Sequence, residues 1–146
     1  MIRNGRPDDI GAISHVRTSV TENHLSTEQL AEIGITPHSI LEGIAAGQLG
    51  CWVAEEEGVV VAFAMAGKPD GCVFALFVLP GHEGKGLGSA LLACCESWLK
   101  QQGHATAKLD TGRESKAYDF YLHRGWRPTG ETAGHFAVDH VLIKDL

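Results

Sequence analysis

The stretch CVFALFVLPGHEGKGLGSALL, residues 72–92, constrains the fold more than any other part of the chain. Its first half is apolar at nearly every position, which predicts a strand buried on both faces. Pro80 ends that strand, because proline has no N–H to give to a ladder. Gly81, Gly84, Gly86 and Gly88 follow in quick succession. Each glycine weakens a regular element by about 0.5–1 kcal/mol relative to alanine. Four together mark either a long loop or a backbone that something must approach closely. A helical stripe of Leu91, Cys94 or Cys95, Trp98 and Leu99 comes next, and Gly103 stops it. HATAKLDT, residues 104–111, then reads as another strand. Strand, turn, helix and strand in this order make a parallel crossover.

The flanking segments supply the rest of a sheet. MIRN is a short opening strand, and RPDDIGAISHVRTSV a helix with Pro7, Asp8 and Asp9 as start signals. Its apolar positions Ile10, Ile13, Val16 (or Arg17) and Val20 recur at helical spacing. Ser26 to Gln29 is a capping-box pattern opening a helix that ends at Gly34. Thr36, Pro37 and Gly47 frame a second helix. Residues 50–66 read as a hairpin turning near Gly58, with Glu55, Glu56 and Glu57 at a solvated tip. Trp52, Phe63 and Phe74 read as core. ESKAYDFYLHRG is a short helix ending at Gly125, and two strands, WRPTGE and HFAVDHVLIKDL, close the chain. The predicted architecture is α/β, one domain over residues 1–146. A mixed sheet of about six to seven strands is flanked by helices.

Composition narrows the partners. A formal charge of −6 on 146 residues argues against nucleic acid, whose phosphates need a basic face. No apolar run is long enough for a membrane span, and the start has no apolar signal core. The chain thus reads as cytoplasmic. Cys51, Cys72, Cys94 and Cys95 form no CxxC pair, and the histidines lack metal-ligand spacing, so reduced thiols and no metal are expected.

The glycine turn lies between a strand end and a helix N-terminus, where free N–H groups and the helix dipole favour an anion. A P-loop needs GxxxxGK[ST], and here Gly86 follows Lys85 where Ser or Thr belongs. A dinucleotide fingerprint needs GxGxxG after the first strand, whereas Gly84, Gly86 and Gly88 give GxGxG after a later one. The stretch instead resembles the pyrophosphate loop of the GNAT superfamily of acyl-CoA-dependent N-acyltransferases. That loop reads Arg/Gln-x-x-Gly-x-Gly/Ala after a strand ending in Val-x-Pro. Val78-Leu79-Pro80 matches the strand end, Gly86 and Gly88 the glycines, and Ser89 to Leu92 the helix start. Glu83 departs from the pattern at the Arg/Gln position. The family's next motif, Asn-x-x-Ala-x-x-x-Tyr-x-x-x-Gly-Phe, is matched by Ala117, Tyr121 and Gly125, with Glu114 replacing Asn and Trp126 replacing Phe.

The resemblance implies acetyl-CoA as co-substrate and an amine acceptor. Backbone groups of Phe77 and Val78 would pair with pantetheine. The turn of Glu83, Gly84, Lys85, Gly86, Leu87, Gly88 and Ser89 would meet the pyrophosphate, and Glu114, Ala117 and Tyr121 would flank the CoA arm. In the motif's register Tyr121 would protonate the departing thiolate; on its helix alone it reads as a packing aromatic, and Tyr118 is the substitute. Lys85 is either a phosphate clamp or a solvated loop lysine. No acid or histidine lies in CVFALFV to act as base. Glu22 is then the candidate base, with Asn23 and His24 beside it lining the acceptor pocket, and His24, Asp110, His135, Asp139, His140 or plain solvent are the alternatives. A cationic acceptor such as a polyamine, an amino-sugar or a lysine side chain suits Glu22, Glu131 and Asp139. A non-catalytic acyl-CoA-binding module is the competing reading, and the edge of the last strands is the candidate surface for a homodimer.

Overall fold

Ile13 and Val16 give the first helix its apolar side, and the computed structural model packs that side onto a seven-stranded sheet. The structure describes residues 1–19, 29, 32, 35–111, 116–133 and 139–146. In chain order these form β1 (Ile2–Asn4), a 3-10 turn (Pro7–Asp9), α1 (Ile10–Ser19), α2 (Pro37–Ala45), β2 (Leu49–Glu56), β3 (Val59–Gly67) and β4 (Cys72–Val78). There follow α3 (Leu87–Gln101), β5 (Thr106–Thr111), α4 (Lys116–Leu122), β6 (Arg127–Ala133) and β7 (Asp139–Asp145). The sheet order is β1-β2-β3-β4-β5-β7-β6. All neighbours are antiparallel except β4 and β5, which the α3 crossover makes parallel. The mixed sheet and its flanking helices are as the sequence predicts. The proposed helix from Ser26 to Gly34 lies largely outside the described residues. No described helix is long and apolar enough to cross a membrane.

Local chemistry sets the element ends. Thr36 caps α2: its hydroxyl accepts from the Ser39 N–H at 3.1 Å, and the Ser39 hydroxyl accepts from the Thr36 N–H at 2.9 Å. Glu57 (φ +53) and Gly58 (φ +79) supply the two left-handed residues that a tight hairpin loop requires. The Asp9 carboxylate accepts from the Arg6 N–H at 2.7 Å and from both terminal nitrogens of Arg3, at 2.8 and 2.9 Å. The Arg3 hydrogen bonds hold Asp9 below the usual carboxylate range. Arg3 also bonds Glu55, so that glutamate is not a free hairpin tip.

Two apolar layers sandwich the sheet. On one face Trp52, Ala62, Ala64, Leu109 and Leu142 meet Leu91, Leu92, Cys95 and Leu99 of α3 and Tyr118 and Tyr121 of α4. On the other, Val53, Phe63, Met65 and Ala75 meet Ile13 and Val16 of α1, with Ile40 and Ile44 of α2 at the margin. The expectation that β4 is buried on both faces does not hold. Leu76, Phe77 and Val78 are only half-buried, and Phe74 is 36% exposed rather than core. Phe74 is the extra residue of a bulge between the pairs Met65–Ala75 and Ala66–Val73. A bulge bends and twists its strand and re-aims side chains locally.

Candidate active site

The bulged β4 parts from its parallel neighbour. The two strands share one ladder pair, Cys72 with Lys108, although β4 pairs with β3 along its whole length. From Val73 to Val78 the far edge of β4 therefore has no strand partner among the described residues. An unpaired edge presents a row of N–H and C=O groups, a template for another extended chain. Phe77 and Val78 stand at the open end of that edge.

The glycine turn closes the same end. The Leu79 N–H donates to the Val61 carbonyl at 2.7 Å, pinning the strand exit. Gly81 (φ +92), Gly84 (φ +77) and Gly86 (φ +83) are left-handed, and Gly86 caps α3. The first helical bond runs from the Ala90 N–H to the Gly86 carbonyl at 3.1 Å. The N–H groups of Leu87, Gly88 and Ser89 thus have no acceptor within the helix. A Cβ at Gly84 or Gly86 would meet nothing within 4 Å, so the turn beside these donors borders open space. Left-handed turns that expose successive N–H groups bind anions.

Gly88 is required for a different reason. A Cβ there would lie 3.3 Å from the ring of Phe120 on α4. Gly88→Val adds two further methyl groups at this contact. Overpacking of this kind costs about 1–3 kcal/mol. At about 2–4 °C per kcal/mol, the melting temperature is expected to fall by several degrees. An unchanged melting temperature in a thermal scan would show that the α3–α4 contact is not tight.

The charged side chains of the turn are arranged unexpectedly. Glu83 is exposed. Lys85 does not pair with it: its ammonium donates to Glu56 at 2.9 Å, and His82 Nδ1 lies 2.8 Å from the same oxygen. Lys85 and then His82 hold Glu56 below the usual carboxylate range. Glu56 therefore ties the hairpin to the turn. A second cation reaches the helix start from the turn after α4. Arg124 Nε donates to the Ser89 hydroxyl at 2.7 Å, and its guanidinium stacks 3.7 Å above the Phe120 ring.

Tyr121 lies on the same α4, one turn after Ala117, and only 6% of it is exposed. Phe120 and Trp126 meet it edge-on, with ring centroids 5.3 and 5.9 Å away. Burial, aided by Cys95 and Cys72, raises its pKa well above the ordinary phenol value. The hydroxyl therefore keeps its proton at neutral pH. Tyr118 is also buried, edge-on to His140 at 6.2 Å. Burial also pushes the Cys51 and Cys72 thiols up to about 12, and raises Cys95 and Cys94. None is poised as a thiolate nucleophile. Asp110 is exposed on β5. Glu22, Asn23, His24, Glu114 and His135 lie outside the described residues.

Sequence reasoning missed Arg17, Arg124 and Glu56. Arg17 had one signal, its place on the apolar stripe of α1. Its guanidinium lies 4.1 Å from the centroid of the Phe77 ring, on the face of β4 covered by α1.

The chain matches the family model described as Acetyltransferase (GNAT) family over residues 18–126. Its fold is similar to that of solved acetyltransferases. PaiA N-acetyltransferase from Thermoplasma acidophilum, in complex with coenzyme A, superposes with a TM-score of 0.78 at 17% identity, covering 100% of this chain and 98% of that one. Ribosomal-protein-alanine N-acetyltransferase from Brucella melitensis gives 0.74 at 22% identity, covering 100% and 99%. YncA from Salmonella typhimurium, with its cofactor acetyl-CoA, gives 0.74 at 23% identity, covering 100% and 93%.

Proposed function

Because the chain belongs to the GNAT acetyltransferase family and so is an acyl-CoA-dependent acetyltransferase, we propose that residues 1–146 form one domain moving acetyl from acetyl-CoA to a primary amine of a small molecule or peptide. The observation that carries this reading is the parting of β4 from β5 after a single pair, with the Gly84–Ser89 turn at the mouth. The residues present fit the co-substrate. The open space before Gly84 and Gly86 suits a pyrophosphate, and the free donors of Leu87, Gly88 and Ser89 face the start of the helix. Arg124, beside Ser89, supplies the side-chain cation that Glu83 does not. Lys85 adds charge only to the extent that Glu56 releases it. Phe77 and Val78 give their backbone groups to the pantetheine amides, and Ala117 and the Glu114 position flank its arm.

When bound, acetyl-CoA supplies the activated acetyl group. The amine attacks the bound thioester directly in a ternary complex, without an acyl-enzyme, while the chain orients the amine, polarises the acyl carbonyl and handles two protons. A backbone N–H near Val78 faces the developing negative charge. Tyr121 Oη gives its proton to the leaving sulfur. An alkyl thiol and a phenol are comparable acids in water, and burial raises both. Glu22, flanked by Asn23 and His24, takes the amine proton.

Calorimetry with acetyl-CoA, followed by thiol release against an amine panel, tests this reading. Saturable binding and amine-dependent thiol release are expected. Binding without turnover on any amine would make the chain a binding module, and absence of binding would refute the whole assignment.

A further inference from the structure

We propose that Arg17 is the recognition group for a carboxylate on the acceptor, so that the substrates are amines that also carry a carboxylate. This rests on the acetyltransferase reading above and deepens it. An arginine in the last turn of a helix ordinarily runs its stem over apolar surface and leaves its head in water. Arg17 instead turns its head toward the sheet. It sits in the last turn of α1, turns down against β4, and places its guanidinium 4.1 Å from the Phe77 ring centroid. Its Nη1 is buried with no hydrogen-bond partner. No carboxylate among the described residues lies within ion-pair distance of it. Desolvation alone pushes its pKa down to about 10, so it remains a cation at neutral pH.

A guanidinium nitrogen buried without a partner, like Arg17 Nη1, is costly unless an anion completes it. Stacking on Phe77 satisfies one face of the ion by cation–π attraction. Nη1 is left to donate to a carboxylate, the anion whose geometry a guanidinium matches. Position points to the acceptor rather than to the pyrophosphate. Phe77 belongs to the apolar layer beneath α1, whereas the glycine turn opens α3, which packs on the opposite layer with Tyr121. One positive charge balances one carboxylate. A phosphate dianion would leave a negative charge over, and a polyamine would bring a second cation toward Arg17.

The test is acetyl transfer to α-, β- and γ-amino acids, each paired with its own carboxamide, with spermidine and glucosamine 6-phosphate alongside. For the preferred pair, wild type is expected to favour the acid at least ~10-fold in kcat/KM, the discrimination worth one charged hydrogen-bonded contact. Arg17→Gln should abolish that preference by raising KM for the acid alone, with the acetyl-CoA Kd unchanged; Arg17→Lys should keep part of it. Thermal melts of both variants show that either is folded. The inference is overturned if no amino acid is accepted, if a carboxamide, spermidine or glucosamine 6-phosphate is the best acceptor, or if the preference survives in Arg17→Gln. Failure of wild type to bind acetyl-CoA in calorimetry would instead refute the transferase reading beneath it.

Discussion

Tyr121→Phe is expected to lower kcat by about 10²–10⁴-fold, the range for losing a positioned general acid. The acetyl-CoA Kd should stay within about two-fold, because the loss is confined to the chemical step. The fold should tolerate the change. The ring packs against Phe120 and Trp126, and phenylalanine keeps those contacts. The same hydroxyl predicts a pH dependence, with the sign fixed by burial. Its folded pKa is raised above the unfolded value, near 10. Unfolded chains therefore lose this proton first as pH rises. The contribution to stability is intact below about pH 10 and falls away above it. Thermal melts of wild type should show this alkaline loss, and melts of Tyr121→Phe should show less of it. Undiminished turnover in the variant would remove Tyr121 from the mechanism.

Gly86→Val should have the second largest effect, on binding rather than chemistry. Gly86 sits at φ +83, where a β-branched residue is strained by about 1–2 kcal/mol. The new side chain would also fill open space at the turn proposed to hold the pyrophosphate. Losing one charge-assisted contact to the pyrophosphate costs about 1.5–3 kcal/mol, roughly a 10- to 100-fold rise in the acetyl-CoA Kd. Gly81→Val provides the control. Gly81 is equally left-handed (φ +92) and equally open, but it lies at the strand exit. Both variants should lose similar stability, and only Gly86→Val should lose affinity. Equal affinity losses in calorimetry would mean that backbone strain, not a phosphate cradle, explains the glycines.

Features that depend on neighbouring residues were legible in the sequence. The run ending at Pro80, the glycine turn and the stripe through Leu91 and Leu99 placed a strand, a cap and a helix where they stand. Thr36 and Gly58 marked a cap and a hairpin for the same reason. What escaped depends on register between distant segments. An apolar run announces a strand but not the bulge at Phe74, nor the separation of β4 from β5. Glu56 meets Lys85 across 29 residues and His82 across 26, and that needs the hairpin docked against the turn. Arg124 reaches Ser89 across 35 residues once α4 lies against the start of α3. Arg17 looked like an ordinary member of an amphipathic helix until α1 was seated on Phe77. The departure from the loop pattern now has a setting. Glu83 is exposed beside a turn whose lysine is held by Glu56, and Arg124 reaches the same helix start through Ser89.

Direct attack of the amine on the bound thioester, without an acyl-enzyme, is the central proposal; burial raises the Cys51, Cys72 and Cys95 thiols, so none is poised to carry the acetyl group. Rapid-quench thiol release through the first turnover, with and without amine, tests it most directly. Release is expected only when amine is present, with no burst in its absence. A burst of thiol stoichiometric with enzyme before any amine is added would contradict it.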